Sequence, residues 1–312
     1  MKTLNKILLV LVLTLGSRSI IAQQAPMYTH YMNNTLVVNP AYAGSRDALT
    51  LTALYRTQWV GFPGAPVTQT ITMHTPLKNK HIGLGLSVQN DKIGPTNNTS
   101  VFVDYAYIFN VTEKSKLAFG LSAGLNIYHA SLNSLQLDQQ TDPTFQDINN
   151  HFTPNFGFGV YYSRERFYAG ISVPDLVQNS YLEVNQENSN AIIGKEQRHY
   201  FLIAGALLNI IDNLAFKPTM LVKVTSAAPV QADLTASFII MKRLSVGVMY
   251  RTGDSFGGLL GFDITDVLHL GYSYDWSYGL QTSNYNQGSH EIVLRYDITF
   301  LSKKQIHSPR NF

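Results

Sequence analysis

Gly120-Leu121-Ser122-Ala123-Gly124 has the Gly-x-Ser-x-Gly spacing of a serine nucleophile elbow. That chemistry needs a strand, a sharp turn and a helix to lift the serine. Here the pentapeptide lies inside a run of strict alternation with no helical pattern after it, so its glycines read as small residues on one face of a strand. The histidines are scattered (His30, His74, His81, His129, His151, His199, His269, His290 and His307) and make no short ligand pair on a helix. A barrel phospholipase would place Ser and His on an outer wall near the membrane boundary, and no such pair singles itself out. Asp138, Asp142 and Asp147 share one long loop and Asp175, Glu183 and Glu187 another. Their spacing matches no calcium loop, and solvated loop charge accounts for them. Asn33-Asn34-Thr35 and Asn110-Val111-Thr112 match the glycosylation sequon, a pattern too short to carry weight by itself. The residues thus point to no catalytic group, no metal site and no cofactor.

Alternation dominates the elements that carry these residues. From Leu117 to Tyr128, Leu117, Phe119, Leu121, Ala123, Leu125 and Ile127 form one face and Ala118, Gly120, Ser122, Gly124, Asn126 and Tyr128 the other. Leu268 to Ser277 and Ile292 to Phe300 repeat the pattern. About 14 such segments begin near residues 48, 67, 81, 99, 116, 152, 167, 199, 214, 230, 244, 257, 268 and 289. Most have the length of a tilted transmembrane strand, about 9–11 residues. Pro218 sits inside one and weakens it locally.

Connection lengths sort by parity. Leu77–Lys80, Asn110–Ser115, Ser163–Arg166, Ile210–Asn213, Met241–Arg243 and Thr265–Val267 are short, while the three long loops, Ala130–His151, Pro174–Arg198 and Gly279–Gly288, all fall on the other parity, which also holds short connections such as Ser226–Pro229. Short turns at one end and long loops at the other mark an outer-membrane barrel. A soluble sandwich has no reason to sort them. Tyr105, Tyr107 and Phe109 suit an interfacial girdle.

Composition agrees. Charged residues are 14% of the chain, against about 25% in an ordinary soluble domain. Something other than a charged surface must keep the protein in its solvent. The net charge of +3 is dispersed and no nucleic-acid motif is present, so nucleic acid is not a partner. Cysteine is absent, which removes disulfides, thiolate metal sites and a lipidated cysteine. Lys2, Lys6 and the apolar run Ile7–Leu15 read as a signal peptide cleaved after Ala22, because the run is too short to span a bilayer.

The expected organisation is therefore a signal peptide at 1–22, a non-strand periplasmic or plug segment at 23–47, one antiparallel all-β transmembrane barrel at 48–300, and a periplasmic tail at 301–312. The barrel would sit in the cell outer membrane, in contact with its lipid, with both termini periplasmic. Its polar face carries Arg56, Asp104, Lys217, Lys223, Asp233, Arg251, Asp263, Arg295 and Asp297. These residues suit internal bracing and a selective channel equally.

The non-strand segment and the strands next to it carry a family likeness. Gln24-Ala25-Pro26-Met27-Tyr28, Asn39-Pro40-Ala41-Tyr42-Ala43-Gly44, Tyr55-Arg56-Thr57-Gln58-Trp59 and Gly64-Ala65-Pro66 together resemble the start of the PorP/SprF family of the type IX secretion system. The likeness continues through Gly83–Gly94, Pro154–Gly159, Tyr168–Ser172 and Arg198-His199-Tyr200. It implies a non-enzymatic outer-membrane component that supports the secretion or surface attachment of a large exported adhesin, such as those used in gliding. It further implies contact with the C-terminal sorting domain of that adhesin and with periplasmic components of the machine. A passive or selective transporter of small solutes is the alternative. Asn39-Pro40 fixes a rigid turn. Asn39, Pro40, Tyr42, Gly44, Arg56, Trp59 and Pro66 are the candidates for binding a partner or for plugging the lumen.

Overall fold

In the computed structural model, residues 25–134, 147–179, 183–186, 189–192, 196–226, 228–278 and 285–298 are described. The expected signal peptide, the tail from residue 301, and Asp138, Asp142, Glu187 and His307 lie outside them. Regular structure is strand, apart from three short 3-10 turns.

The strands follow the alternation closely. They are β1 (Leu49–Thr57), β2 (Val67–Pro76), β3 (Ile82–Ile93), β4 (Thr96–Thr112), β5 (Ser115–Ala130), β6 (Ile148–Arg164) and β7 (Phe167–Val173). A small separate hairpin, β8 (Glu183–Gln186) with β9 (Ser189–Ile192), interrupts the series. The wall resumes with β10 (His199–Ala206), β11 (Leu208–Ile211), β12 (Leu214–Thr225), β13 (Ala228–Ile240), β14 (Leu244–Arg251), β15 (Ser255–Asp263), β16 (Leu268–Ser277) and β17 (Ser289–Ile298). Every described pairing is antiparallel, and each joins neighbours in sequence apart from the seam of β1 with β17, the step from β7 to β10 and the pairing of β10 with β12. Pairing of β10 with β12 completes a closed barrel of 14 strands. Closure pairs each of the 14 wall strands on both sides, which is the condition for backbone to cross hydrocarbon.

β11 carries on the register of β10. Gly205 pairs with Thr219, and three residues on Leu208 pairs with Phe216. The gap lies opposite Pro218, which has no N–H to give the ladder. On the other edge of the gap the Leu207 amide continues the ladder to β7, donating to the Arg166 carbonyl at 2.9 Å.

The two faces are inverted relative to a soluble protein. Ile71, Leu121 and Val248 point outward and are more than half exposed (63%, 58% and 65%). Thr50, Thr52, Thr70, Thr72, Ser122 and Ser273 point inward and are buried. The connections at 58–66, 131–147, 174–198 and 278–288 share one end of the barrel. Three short turns, after β3, β12 and β14, join them there, and the other end carries only short connections together with the start of β1 and the end of β17.

The inside is filled by the chain that precedes β1. Tyr28, Tyr31, Met32, Leu36, Val38, Ala41, Tyr42 and Ala43 form one apolar cluster with inward wall residues including Ala106, Ala118, Tyr161, Tyr168 and Ile203. The barrel's core is thus centred on its own N-terminal segment.

Candidate functional site in the barrel lumen

The luminal segment runs lengthwise. Its first described residue, Ala25, donates its amide to His199 Nε2 at 3.4 Å, at the long-loop end. Its last residues lie beside Pro76 and Gly83 at the short-turn end. Two 3-10 turns, Thr35–Val37 and Pro40–Tyr42, shape it between these points.

The second turn shows why Asn-Pro-Ala-Tyr is written as it is. Asn39 caps it, its Oδ1 accepting from the Ala41 amide at 2.9 Å, and Pro40 occupies the first turn position, where a missing N–H costs nothing. The Asn39 amide group then donates across to the wall, to the Val160 carbonyl at 3.1 Å and the Ile171 carbonyl at 3.4 Å. Tyr42 meets His74 and Tyr161 edge-on, with ring centroids 5.2 and 5.4 Å apart. Gly44 has φ +70° and donates its amide to His74 Nδ1 at 3.2 Å. It presses so close to Gly83 that a side chain on either would collide with the other's backbone. A side chain at Gly120 would strike the backbone of Ala41. Gly120 of the Gly-x-Ser-x-Gly motif is therefore a seat for the segment, Gly124 makes room for Phe102 of β4, and Ser122 lies in mid-strand opposite Asp104 and Gly157.

Nearer the long-loop end the segment is held by charge. Arg56 is buried and bridges Asp275 Oδ2 at 2.7 Å and Glu291 Oε2 at 3.1 Å. Both carboxylates also grip the segment. Glu291 accepts from the amides of Thr29 (2.9 Å) and His30 (2.6 Å), and Asp275 accepts from the Thr29 hydroxyl at 2.6 Å. Arg56 donates to that same hydroxyl oxygen at 3.0 Å. Arg251 forms a two-point pair with Asp233 (2.8 and 3.0 Å) and reaches the Tyr28 carbonyl. At the other end Arg46 holds Asp297 at 3.2 and 2.7 Å, and Thr50 adds a third bond to that carboxylate. Each charge buried this way has an opposite partner and further hydrogen bonds, which offset its lost hydration.

The seven candidate residues separate into two groups. Asn39, Pro40, Tyr42 and Gly44 meet in the luminal segment, and Arg56 grips the same segment at Thr29. Trp59 and Pro66 sit apart, in the loop between β1 and β2 at the long-loop rim. The Trp59 amide donates to Ser289 Oγ at 3.2 Å, and the Pro66 carbonyl accepts from Gln58 at 2.9 Å. Sequence reasoning did not name Glu291 or the seat at Gly83 and Gly120. An inward-facing carboxylate in the last strand and glycines at inward positions were the available signals. Among the described residues no group of His, Asp and Glu is arranged to hold a metal ion.

A closed barrel with an apolar outer band, a polar inner face and a lumen filled by its own N-terminal segment defines an outer-membrane barrel protein of the plugged kind. The model of the type IX secretion system membrane protein PorP/SprF matches residues 20–296, and the chain belongs to that family. No curated protein matches it. Among solved structures, the chain resembles the CymD monoaromatic hydrocarbon channel at 12% identity and a TM-score of 0.51, over 90% of this chain and 95% of that one. A Pseudomonas aeruginosa FadL homologue matches at 12% identity and a TM-score of 0.48, over 84% and 94% of the two chains. The Acinetobacter baumannii outer membrane protein Omp33 matches at 10% identity and 0.44, over 81% and 99%. At these identities the likeness is one of fold.

Proposed function

We propose that this type IX secretion component is a plugged, non-conducting barrel that anchors a large exported adhesin at the cell surface. The observation that carries this reading is the lumen. Residues 25–48 are bonded to β2, β3, β6, β12, β16 and β17, so a solute has no clear passage. A barrel without a passage serves as a scaffold, and its two rims are the surfaces left to meet partners. The long-loop end faces outward and offers the loops at 58–66 and 174–198 to the C-terminal sorting domain of the adhesin. The short-turn end faces the periplasm and its secretion components. Trp59 and Pro66 belong to the outer rim, whereas Asn39, Pro40, Tyr42, Gly44 and Arg56 brace the plug. The chain acts without catalysis, after removal of residues 1–22.

Deleting the gene and labelling the adhesin on intact cells tests the role. Surface labelling falls to background if the chain anchors it, and unchanged display contradicts the proposal. The transporter reading requires residues 25–48 to leave the lumen, and nothing in the bonding of that segment favours its departure.

A further inference from the structure

A second polar site lies away from the Asn39–Gly44 turn, on the wall formed by β12–β17. A pocket opens there between the plug and the wall, lined by His30, Asn33, Lys217, Asp263, His269 and Arg295. All four wall residues lie within about a turn's reach of the short-turn end. Lys217 and Asp263 are only half-buried, so the pocket communicates with that end.

Its polar atoms are poorly matched to one another. Arg295 is buried, and its Nε has no hydrogen-bond partner. Its nearest carboxylate oxygen, on Asp297, is 3.9 Å away and already held by Arg46 at 2.7 Å. One terminal nitrogen of Arg295 reaches Asn33 Oδ1 only at 3.5 Å. His269 gives Nδ1 to Asp263 at 2.6 Å, and its Nε2 is buried without a partner. Lys217 adds a further positive charge, and Asp263 is the one carboxylate lining the pocket. A buried guanidinium N–H left unpaired is costly, and a fixed planar fork beside an ammonium group suits an oxyanion.

We infer that this pocket is a binding site for one oxyanion group, a carboxylate or a phosphate, entering from the short-turn end. The group would accept from Arg295 Nε and from Lys217, and a hydroxyl of its protonated form would donate to His269 Nε2. Asp263 opposes it by charge and thereby limits its affinity. The anion would also tie the plug to the wall through Asn33 and Arg295, so its arrival would be felt by the luminal segment.

The test uses the full mature chain in mild detergent. The thermal unfolding midpoint is followed against inorganic phosphate, and separately against acetate, with chloride holding ionic strength constant. A saturable rise with either anion supports the site, and the anion that gives it tells a phosphate source from a carboxylate one. Lys217→Gln should weaken the apparent affinity about tenfold, the loss of one charge-assisted contact. Asp263→Asn should strengthen it, an effect that a merely structural role would not produce. No saturable rise with either anion, or the same response in both variants as in the parent chain, overturns the proposal.

Discussion

Arg56 and Glu291 stand opposite each other in register across the seam between the first and last strands, their side chains 3.1 Å apart, and Thr29 of the plug bonds to both. One ion pair therefore spans the seam and fastens what is inside the barrel. Removing Glu291 leaves a buried guanidinium with less compensation, and the plug loses two backbone anchors. Arg56→Met, which strands both Glu291 and Asp275, should lower stability by about 3–5 kcal/mol, and Glu291→Gln should cost less because Arg56 keeps Asp275. Urea unfolding of the detergent-solubilised variants checks both statements.

The seat at Gly120 makes a steric prediction. Gly120→Leu should drive the segment off the β5 wall, because its side chain would occupy the space of Ala41. Arg46, buried in the parent chain, should then become open to trypsin. Cleavage at Arg46 is the readout, and equal resistance in both proteins would contradict the seating.

Asp175 supplies a pH dependence. It follows β7 in a stretch that turns back into the lumen, where it lines a cavity with Pro40, Asp104 and Ser122, and burial followed by the nearby Glu196 carboxylate pushes it up to about 7. A carboxyl raised in the folded state binds protons there more readily than in the unfolded chain, so its ionisation destabilises the folded loop. The packing of residues 174–179 should be firm near pH 5.5 and loosen as pH rises through about 7. Hydrogen exchange of that segment, corrected for the intrinsic rate, should show the loosening, and Asp175→Asn should abolish it.

The lipid-facing band can be tested by charge. Leu121 lies near the middle of β5 and faces outward. Leu121→Arg should destabilise the folded barrel in bilayers by about 2–4 kcal/mol, whereas Lys114→Arg in the turn before β5 should be neutral. Folding into vesicles across a urea series separates the two.

The wall is legible in the sequence because alternation is a local property. The segments expected near residues 48, 67, 81, 116 and 244 begin within a residue or two of the strands themselves, since a slip of one residue would turn Ile71 or Val248 into the lumen. The break opposite Pro218 is visible for the same local reason. The turn at Asn39-Pro40 can be read from its own residues. The path of the segment through the lumen cannot. Its anchors join residues far apart in the chain, Thr29 to Asp275 and Arg46 to Asp297, and neither member announces the other. The glycines at 83 and 120 advertise small inward residues without saying what they make room for.

A filled lumen is the central claim, and ion flow through the barrel measures it directly. Purified chain in planar bilayers would be compared with a chain lacking residues 25–47. The intact chain should give no steady conductance, and the shortened one stable ohmic channels. Steady channels from the intact chain, unchanged by the deletion, would contradict a plug.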